Sequence, residues 1–216
     1  MTVARTRVKM CGMTSPDDIA LAVAAGADAV GIILAESARQ IPLGERLAEL
    51  VRAIPPFVDG VAVLANQGPR EAAAAYAHGL RLQFSGSEMP ETCELASPSP
   101  RAYVKAFHLR ADTAYEAADF EELEQYVRAL WMFDSTVDGK LGGTGVPFAW
   151  DVVAGIARNR PIVMSGGLTA ENVAACIRTV RPYAVDVRSG VETNGRKDIE
   201  KMRAFVRAVR ETDAEA

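Results

Sequence analysis

Short runs of β-branched and other apolar residues recur along this chain, and between most of them lie stretches with helical spacing rich in Ala, Glu and Leu. That alternation of two periods marks βα units and points to an α/β architecture built on parallel strands. The strand-like runs fall near Arg7–Cys11, Ala29–Leu34, Gly60–Leu64, Leu80–Phe84, Tyr103–Phe107, Leu130–Phe133, Ile162–Met164 and Ala184–Val187. Several, such as "AVGIIL" and "GVAVL", are apolar at nearly every position, as expected of strands covered on both faces. Eight strands in 216 residues leave about 27 residues per unit, tight but workable for a single-domain (β/α)8, or TIM, barrel over residues 1–216. An open doubly wound sheet tolerates the same alternation; the strand count favours closure.

Helices are expected over Pro16–Ala25, Gly44–Ala53, Pro69–His78, Ala170–Thr179 and Asp198–Arg210, several opened by a Ser, Thr or Asp cap with proline or acidic residues in the first turn. Thr169, with Asn172 three residues on, is a cap without the full box. The segment "SEMPETCELASPSP" after the fourth strand carries three prolines and little apolar periodicity, so its helix is expected to be short, irregular or missing. The polar tail Glu211–Ala216 is expected to fray.

Composition narrows the partners. The 24 basic residues against 28 acidic ones give a net charge of -4, without the basic excess that a general binder of phosphate backbones needs, so nucleic acid is not expected. No apolar run approaches the ~20 residues that span a bilayer, and Met1–Arg7 has no signal-like apolar core, so neither membrane insertion nor secretion is expected. Cys11, Cys93 and Cys176 are an odd number in a chain too long to need disulfide staples, which points to a reducing, cytoplasmic setting.

In a barrel the C-terminal ends of the strands converge on one face, so polar residues at those ends are the first candidates for chemistry. Cys11 ends the first strand and precedes Gly12, whose missing side chain lets a substrate approach; it is a candidate base, or a small buried hydrophobe. Asp134 follows the apolar run "ALWMF"; burial against the apolar groups around Trp131 would keep it protonated, while the plainer reading makes it a turn cap for Ser135 and Thr136. Glycine-bearing loops follow the last three strands: "GGTG" at Gly142–Gly145, "SGG" at Ser165–Gly167 and "SG" at Ser189–Gly190. Such turns present backbone amides to a phosphate, and the loops after strands seven and eight are where this fold usually holds one. Arg39 could pair with a carboxylate through two parallel hydrogen bonds, or be a solvated loop residue. Lys9 points toward or away from the site according to a register the sequence leaves open. His78 and His108 do not make a metal site, and no metal is expected.

Taken in order, "VKMCGMTSPDDIALAVAAGADAVGIIL", "FDSTVDGKLGGTG", "IVMSGGLTAENV" and "AVDVRSGVETNGRKDIEKMRAFV" resemble phosphoribosylanthranilate isomerase over nearly the whole chain. The resemblance implies a (β/α)8 enzyme of tryptophan biosynthesis that converts N-(5-phosphoribosyl)anthranilate to 1-(2-carboxyphenylamino)-1-deoxyribulose 5-phosphate by an Amadori rearrangement. It implies Cys11 as general base, Asp134 as general acid, Arg39 for the anthranilate carboxylate and Asp186 as a polar substrate contact. Gly143, Gly166, Gly167, Ser189 and Gly190 would cradle the phosphate. No cofactor is implied; the partner is a phosphorylated small molecule, and the chain a monomer or homodimer. The chain departs from the family pattern at Phe84 and Ser85, where Leu and His are usual, at Ala38, where a proline is usual, and at Arg188, where a small Ser is usual. Two other readings stand beside this one. A bifunctional isomerase that also takes a histidine-pathway substrate would need a second phosphate loop, for which "LANQGPR" and "QFSGSE" offer little. A non-catalytic phosphometabolite-binding barrel would have no need of both Cys11 and Asp134.

Overall fold

A computed structural model of the chain describes residues 5–97, 103–110, 113, 115–137, 140–141 and 150–215. Eight parallel strands form a closed barrel: β1 (Arg7–Cys11), β2 (Ala29–Ile33), β3 (Asp59–Leu64), β4 (Arg81–Phe84), β5 (Tyr103–Arg110), β6 (Ala129–Val137), β7 (Ile162–Ser165) and β8 (Ala184–Val187). Each strand pairs with its neighbours in sequence, β1 pairs β8, and the long β5–β6 ladder from Tyr103↔Ala129 to Arg110↔Thr136 completes the ring. The closed barrel, rather than the open sheet, is therefore the architecture. A two-residue strand, Lys140–Leu141, folds back on the end of β6, and a small hairpin pairs Glu192–Thr193 with Arg196–Lys197.

Outside the strands lie α1 (Pro16–Ala25), α2 (Glu45–Arg52), α3 (Pro69–Ala77), α4 (Pro90–Ala96), α5 (Trp150–Ala157), α6 (Val173–Val180) and α7 (Ile199–Ala214). The start of α1 shows why the chain turns helical there: Ser15 caps Asp18, Asp18 caps back, Pro16 opens the first turn, and Gly26 closes the helix at φ 98°. The proline-rich segment after β4 yields only the seven residues of α4. Between β5 and β6 the acidic run Asp119–Glu124 lies in a 3-10 helix, Ala117–Gln125, that buries Phe120.

Two expectations are corrected. The tail does not fray: α7 runs to Ala214, because the Asp213 carboxylate accepts from the Thr6 N–H (2.9 Å) and hydroxyl (2.7 Å), Thr212 is buried, and Glu215 pairs with Arg178 at 2.7 Å. And α6 begins at Val173, not Ala170, because Asn172 is used to staple the preceding loop, accepting from the Thr169 N–H (2.8 Å) and donating to the Gly167 carbonyl (2.9 Å).

Burial separates the two faces of each strand. Val8, Met10, Val30, Ile32, Ala62, Leu64, Trp131, Phe133, Val185 and Val187 face outward into the layer beneath the helices. Val104, Ala106, Met132, Val163 and Ala184 fill the barrel's lower interior. Cys11, Ile33, Ala35 and Val63 line its mouth. Strand alternation then carries Lys9, Gly31, His108, Asp134, Ser165, Asp186 and Arg188 to the inside.

Candidate active site

The inward polar residues sit side by side because the register puts them there. Lys9 pairs with Asp186 across β1–β8, Cys11 with Gly31 across β1–β2, Asp134 with Ser165 across β6–β7, and His108 with Asp134 across β5–β6. An arc of chemistry-bearing groups therefore runs round the mouth from β5 to β1. At its centre Asp186 is held on both oxygens, Oδ1 accepting from Lys9 Nζ at 2.7 Å and Oδ2 from Ser165 Oγ at 3.2 Å. All three residues are buried.

The Cys11 thiol lies beside this group. Gly31 on β2 makes the space: a Cβ there would lie 2.8 Å from Cys11 Sγ and 3.2 Å from Lys9 Nζ. Burial pushes the thiol's pKa up, against the pull of Lys9 and Lys197. Lys9 has the opposite balance: burial disfavours its charge, but Asp186 and Cys11 outweigh that and raise its pKa. Asp134 is raised as well, chiefly by burial; His108, Arg188 and Lys9 oppose the rise and Asp186 adds to it. The His108 Nδ1 lies 4.0 Å from an Asp134 oxygen, while the Asp134 Oδ1 is buried without a hydrogen-bond partner among the described residues. The burial does not come from Trp131, as the sequence suggested. That ring faces the other side of β6, with the Arg160 guanidinium 3.5 Å from its centroid.

A second charged cluster closes the mouth beside β1. Arg39 donates to the Gly12 carbonyl (3.2 Å), the Gly195 carbonyl (2.5 Å) and Glu192 Oε2 (2.8 Å). Lys197 donates to Glu192 Oε1 (2.8 Å) and to the carbonyls of Cys11 (2.6 Å) and Arg188 (3.3 Å). Arg188 turns inward: its Cγ and Cδ lie 3.4 and 3.5 Å from where a Cβ on Gly12 would sit.

The glycine turns of the seventh and eighth loops abut. Gly166 and Gly167 have φ of 88° and 61°, a left-handed pair that favours glycine, and a Cβ on Gly190 would fall 2.0 Å from the Leu168 carbonyl oxygen. Ser189 opens the short 3-10 turn Ser189–Val191. Gly143 and the rest of the Gly142–Gly145 loop lie outside the described residues. Of the unusual residues at the end of β4, Phe84 faces outward against Tyr103, and the Ser85 carbonyl meets His108 Nε2 at 2.9 Å. A cavity of about 930 Å³ opens at the opposite end of the barrel, among Arg7, Phe57 and Tyr183, and of these groups only Lys9 lines it.

Residues 8–208 match the family model for N-(5'-phosphoribosyl)anthranilate (PRA) isomerase. The chain belongs to that family. The phosphoribosylanthranilate isomerase of Pelobacter propionicus is 38% identical over 214 residues, 97% of this chain and 98% of that protein. The crystal structure of the Thermotoga maritima isomerase superposes with a TM-score of 0.83 at 32% identity, covering 95% of this chain and 99% of that one. A phosphoribosylanthranilate isomerase in complex with reduced 1-(o-carboxyphenylamino)-1-deoxyribulose 5-phosphate gives 0.79 at 32% identity, with the same coverage.

For this member of the isomerase family, reading the sequence passed over Gly31, Ser165's bond to Asp186, and the Glu192–Lys197 pair. Gly31 had a signal, a glycine inside an otherwise bulky strand, which marks close approach by a neighbour. Glu192 and Lys197 had none, since a charge in a polar loop reads as solvated until its partners are known.

Proposed function

We infer that this chain catalyses the Amadori rearrangement of N-(5-phosphoribosyl)anthranilate to 1-(2-carboxyphenylamino)-1-deoxyribulose 5-phosphate, the isomerase step of tryptophan biosynthesis. The observation that carries the reading is a thiol and a partly buried carboxyl opening on one barrel mouth, with Lys9, Asp186 and Ser165 between them. One barrel domain over residues 1–216 does the work, in keeping with a family match over residues 8–208.

Asp134 gives its proton to the furanose ring oxygen as the C1–O bond breaks, leaving an iminium between C1 and the anthranilate nitrogen. Burial supports this role, because a carboxyl with a raised pKa keeps its proton nearer neutrality. The iminium acidifies the C2 hydrogen, which the Cys11 thiolate removes; the resulting enolamine tautomerises to the ketone. Protons move and no electrons are exchanged with a partner, so the chain's own acid and base suffice. Gly166, Gly167, Ser189 and Gly190 hold the phosphate, with Gly143 assigned to the same cradle. Arg39, at the mouth beside Gly12, receives the anthranilate carboxylate in exchange for Glu192. Asp186, fixed on both oxygens, contacts the sugar. The three unpaired, buried cysteines support the reducing cytoplasmic setting.

The test follows the loss of fluorescence of freshly made phosphoribosylanthranilate. Cys11→Ser and Asp134→Asn are each expected to lower kcat by about two orders of magnitude or more, the scale of a lost acid or base. Near wild-type turnover in both would end the assignment.

A further inference from the structure

We propose that Lys9 is the positioning residue that stabilises the Cys11 thiolate against the burial that disfavours it, acting as its counter-ion from inside the barrel. The inference deepens the reading above, since it takes Cys11 as the base.

Two placements carry it. Lys9 and Cys11 lie on the same inward face of β1, and the Lys9 Nζ and Cys11 Sγ both approach one point, the empty Cβ position of Gly31, at 3.2 and 2.8 Å. The ammonium and the sulfur are thus within about 6 Å of each other, with no side chain of β2 between them. Asp186 from β8 and Lys197 from the hairpin also act on the thiol, Arg39 and Arg188 reach the adjacent Gly12, and the apolar Ile33, Ala35 and Val63 pack around it.

Lys197 is the rival counter-ion, and its hydrogen bonds count against it. Its three N–H groups go to the Cys11 carbonyl, the Arg188 carbonyl and Glu192, which leaves none for sulfur. Lys9 gives one N–H to Asp186, and two more can turn toward Cys11. The charge count points the same way. Lys9, Lys197 and Arg39 set three cations against the two carboxylates they pair with, Asp186 and Glu192, and the inward Arg188 adds a fourth. A thiolate at Cys11 reduces this excess of positive charge, whereas a neutral thiol leaves it whole. Buried charge of one sign is costly unless paired. The proton lost from sulfur passes to solvent, and Lys9 keeps its own.

The experiment titrates the thiol directly. The rate of Cys11 alkylation by iodoacetamide is followed against pH by mass spectrometry of the Cys11 peptide, in the wild-type protein and in Lys9→Met. The apparent pKa is expected to rise by about one pH unit or more in the variant, and kcat/KM at pH 7 to fall about tenfold or more and recover as pH rises. Lys9→Met also strands Asp186, whose charge by itself would disfavour a thiolate. The double variant Lys9→Met/Asp186→Asn removes both charges, keeps the barrel free of an orphaned carboxylate, and is expected to show the raised titration still. An unchanged Cys11 titration in folded double variant overturns the proposal. The thiol titration does not depend on turnover, so the two readings fail separately: an active Cys11→Ser sinks the base assignment, and an unmoved titration sinks the counter-ion.

Discussion

Replacing Gly31 with alanine tests the geometry of the site without touching a charged or nucleophilic group. The new methyl would sit 2.8 Å from Cys11 Sγ, 3.2 Å from Cys11 Cα and 3.2 Å from Lys9 Nζ. Non-bonded atoms of this size settle at about 3.5–4.0 Å, so the sulfur must retreat by about 0.7 Å or more. Rotation about χ1 cannot relieve the contact with Cα, and Ile33 and Val63 fence the thiol on the same face. Overpacking of this kind costs about 1–3 kcal/mol, of which alanine's better strand conformational entropy offsets about 0.5–1 kcal/mol. At about 2–4 °C per kcal/mol for a chain of this size, Tm should fall by no more than about 10 °C. Turnover should suffer far more, because about 1 Å of misplacement at a reacting group costs on the order of 100-fold. Circular dichroism melting beside the fluorescence assay separates the two effects. A folded Gly31→Ala protein with kcat within about threefold of wild type would refute the claim that this glycine exists to seat the thiol.

Two further outcomes are expected. Gly190→Ala places a Cβ 2.0 Å from the Leu168 carbonyl oxygen, a backbone atom that cannot swing aside, so the seventh and eighth loops must part; steady-state kinetics should show KM raised about tenfold or more with a smaller change in kcat. The Asp28 carboxyl is pushed up by burial, but the Arg5 hydrogen bonds, the Val8 N–H and Arg210 more than reverse this and hold it below the usual carboxylate range. A depressed folded-state pKa contributes stability above the unfolded value that is lost as pH falls through the folded one. Melting from pH 7 to pH 3 should therefore show Tm of the wild type falling more steeply below about pH 4 than that of Asp28→Asn, which starts lower and has less to lose.

The strands were legible because parallel strands covered on both faces read as near-continuous apolar runs, and each of the eight runs lies within a few residues of an observed strand. The same property hid which way their side chains point. β1 contains "VKMC" and β5 contains "VKAF", the same Val-Lys pair in the same kind of strand. Yet Lys9 points into the barrel, while Lys105 points out of it, to Glu88 at 3.0 Å and the Gly86 carbonyl at 2.6 Å. With no alternation of polar and apolar residues to fix the phase, the choice rests on where each buried ammonium finds its acceptor. For Lys105 that acceptor is 17 residues away, and for Lys9 it is 177 residues away on β8. Cys11, Asp134 and Asp186 could be picked out individually as polar residues at strand ends, but not the contacts by which Lys9, Lys197 and Asp186 bias the first two, since those depend on closure of the ring. An inward lysine needs both a distant carboxylate and an empty place on the next strand. Asp186 meets the first need and Gly31 the second, so the phase of β1 becomes readable only when these three positions are considered at once.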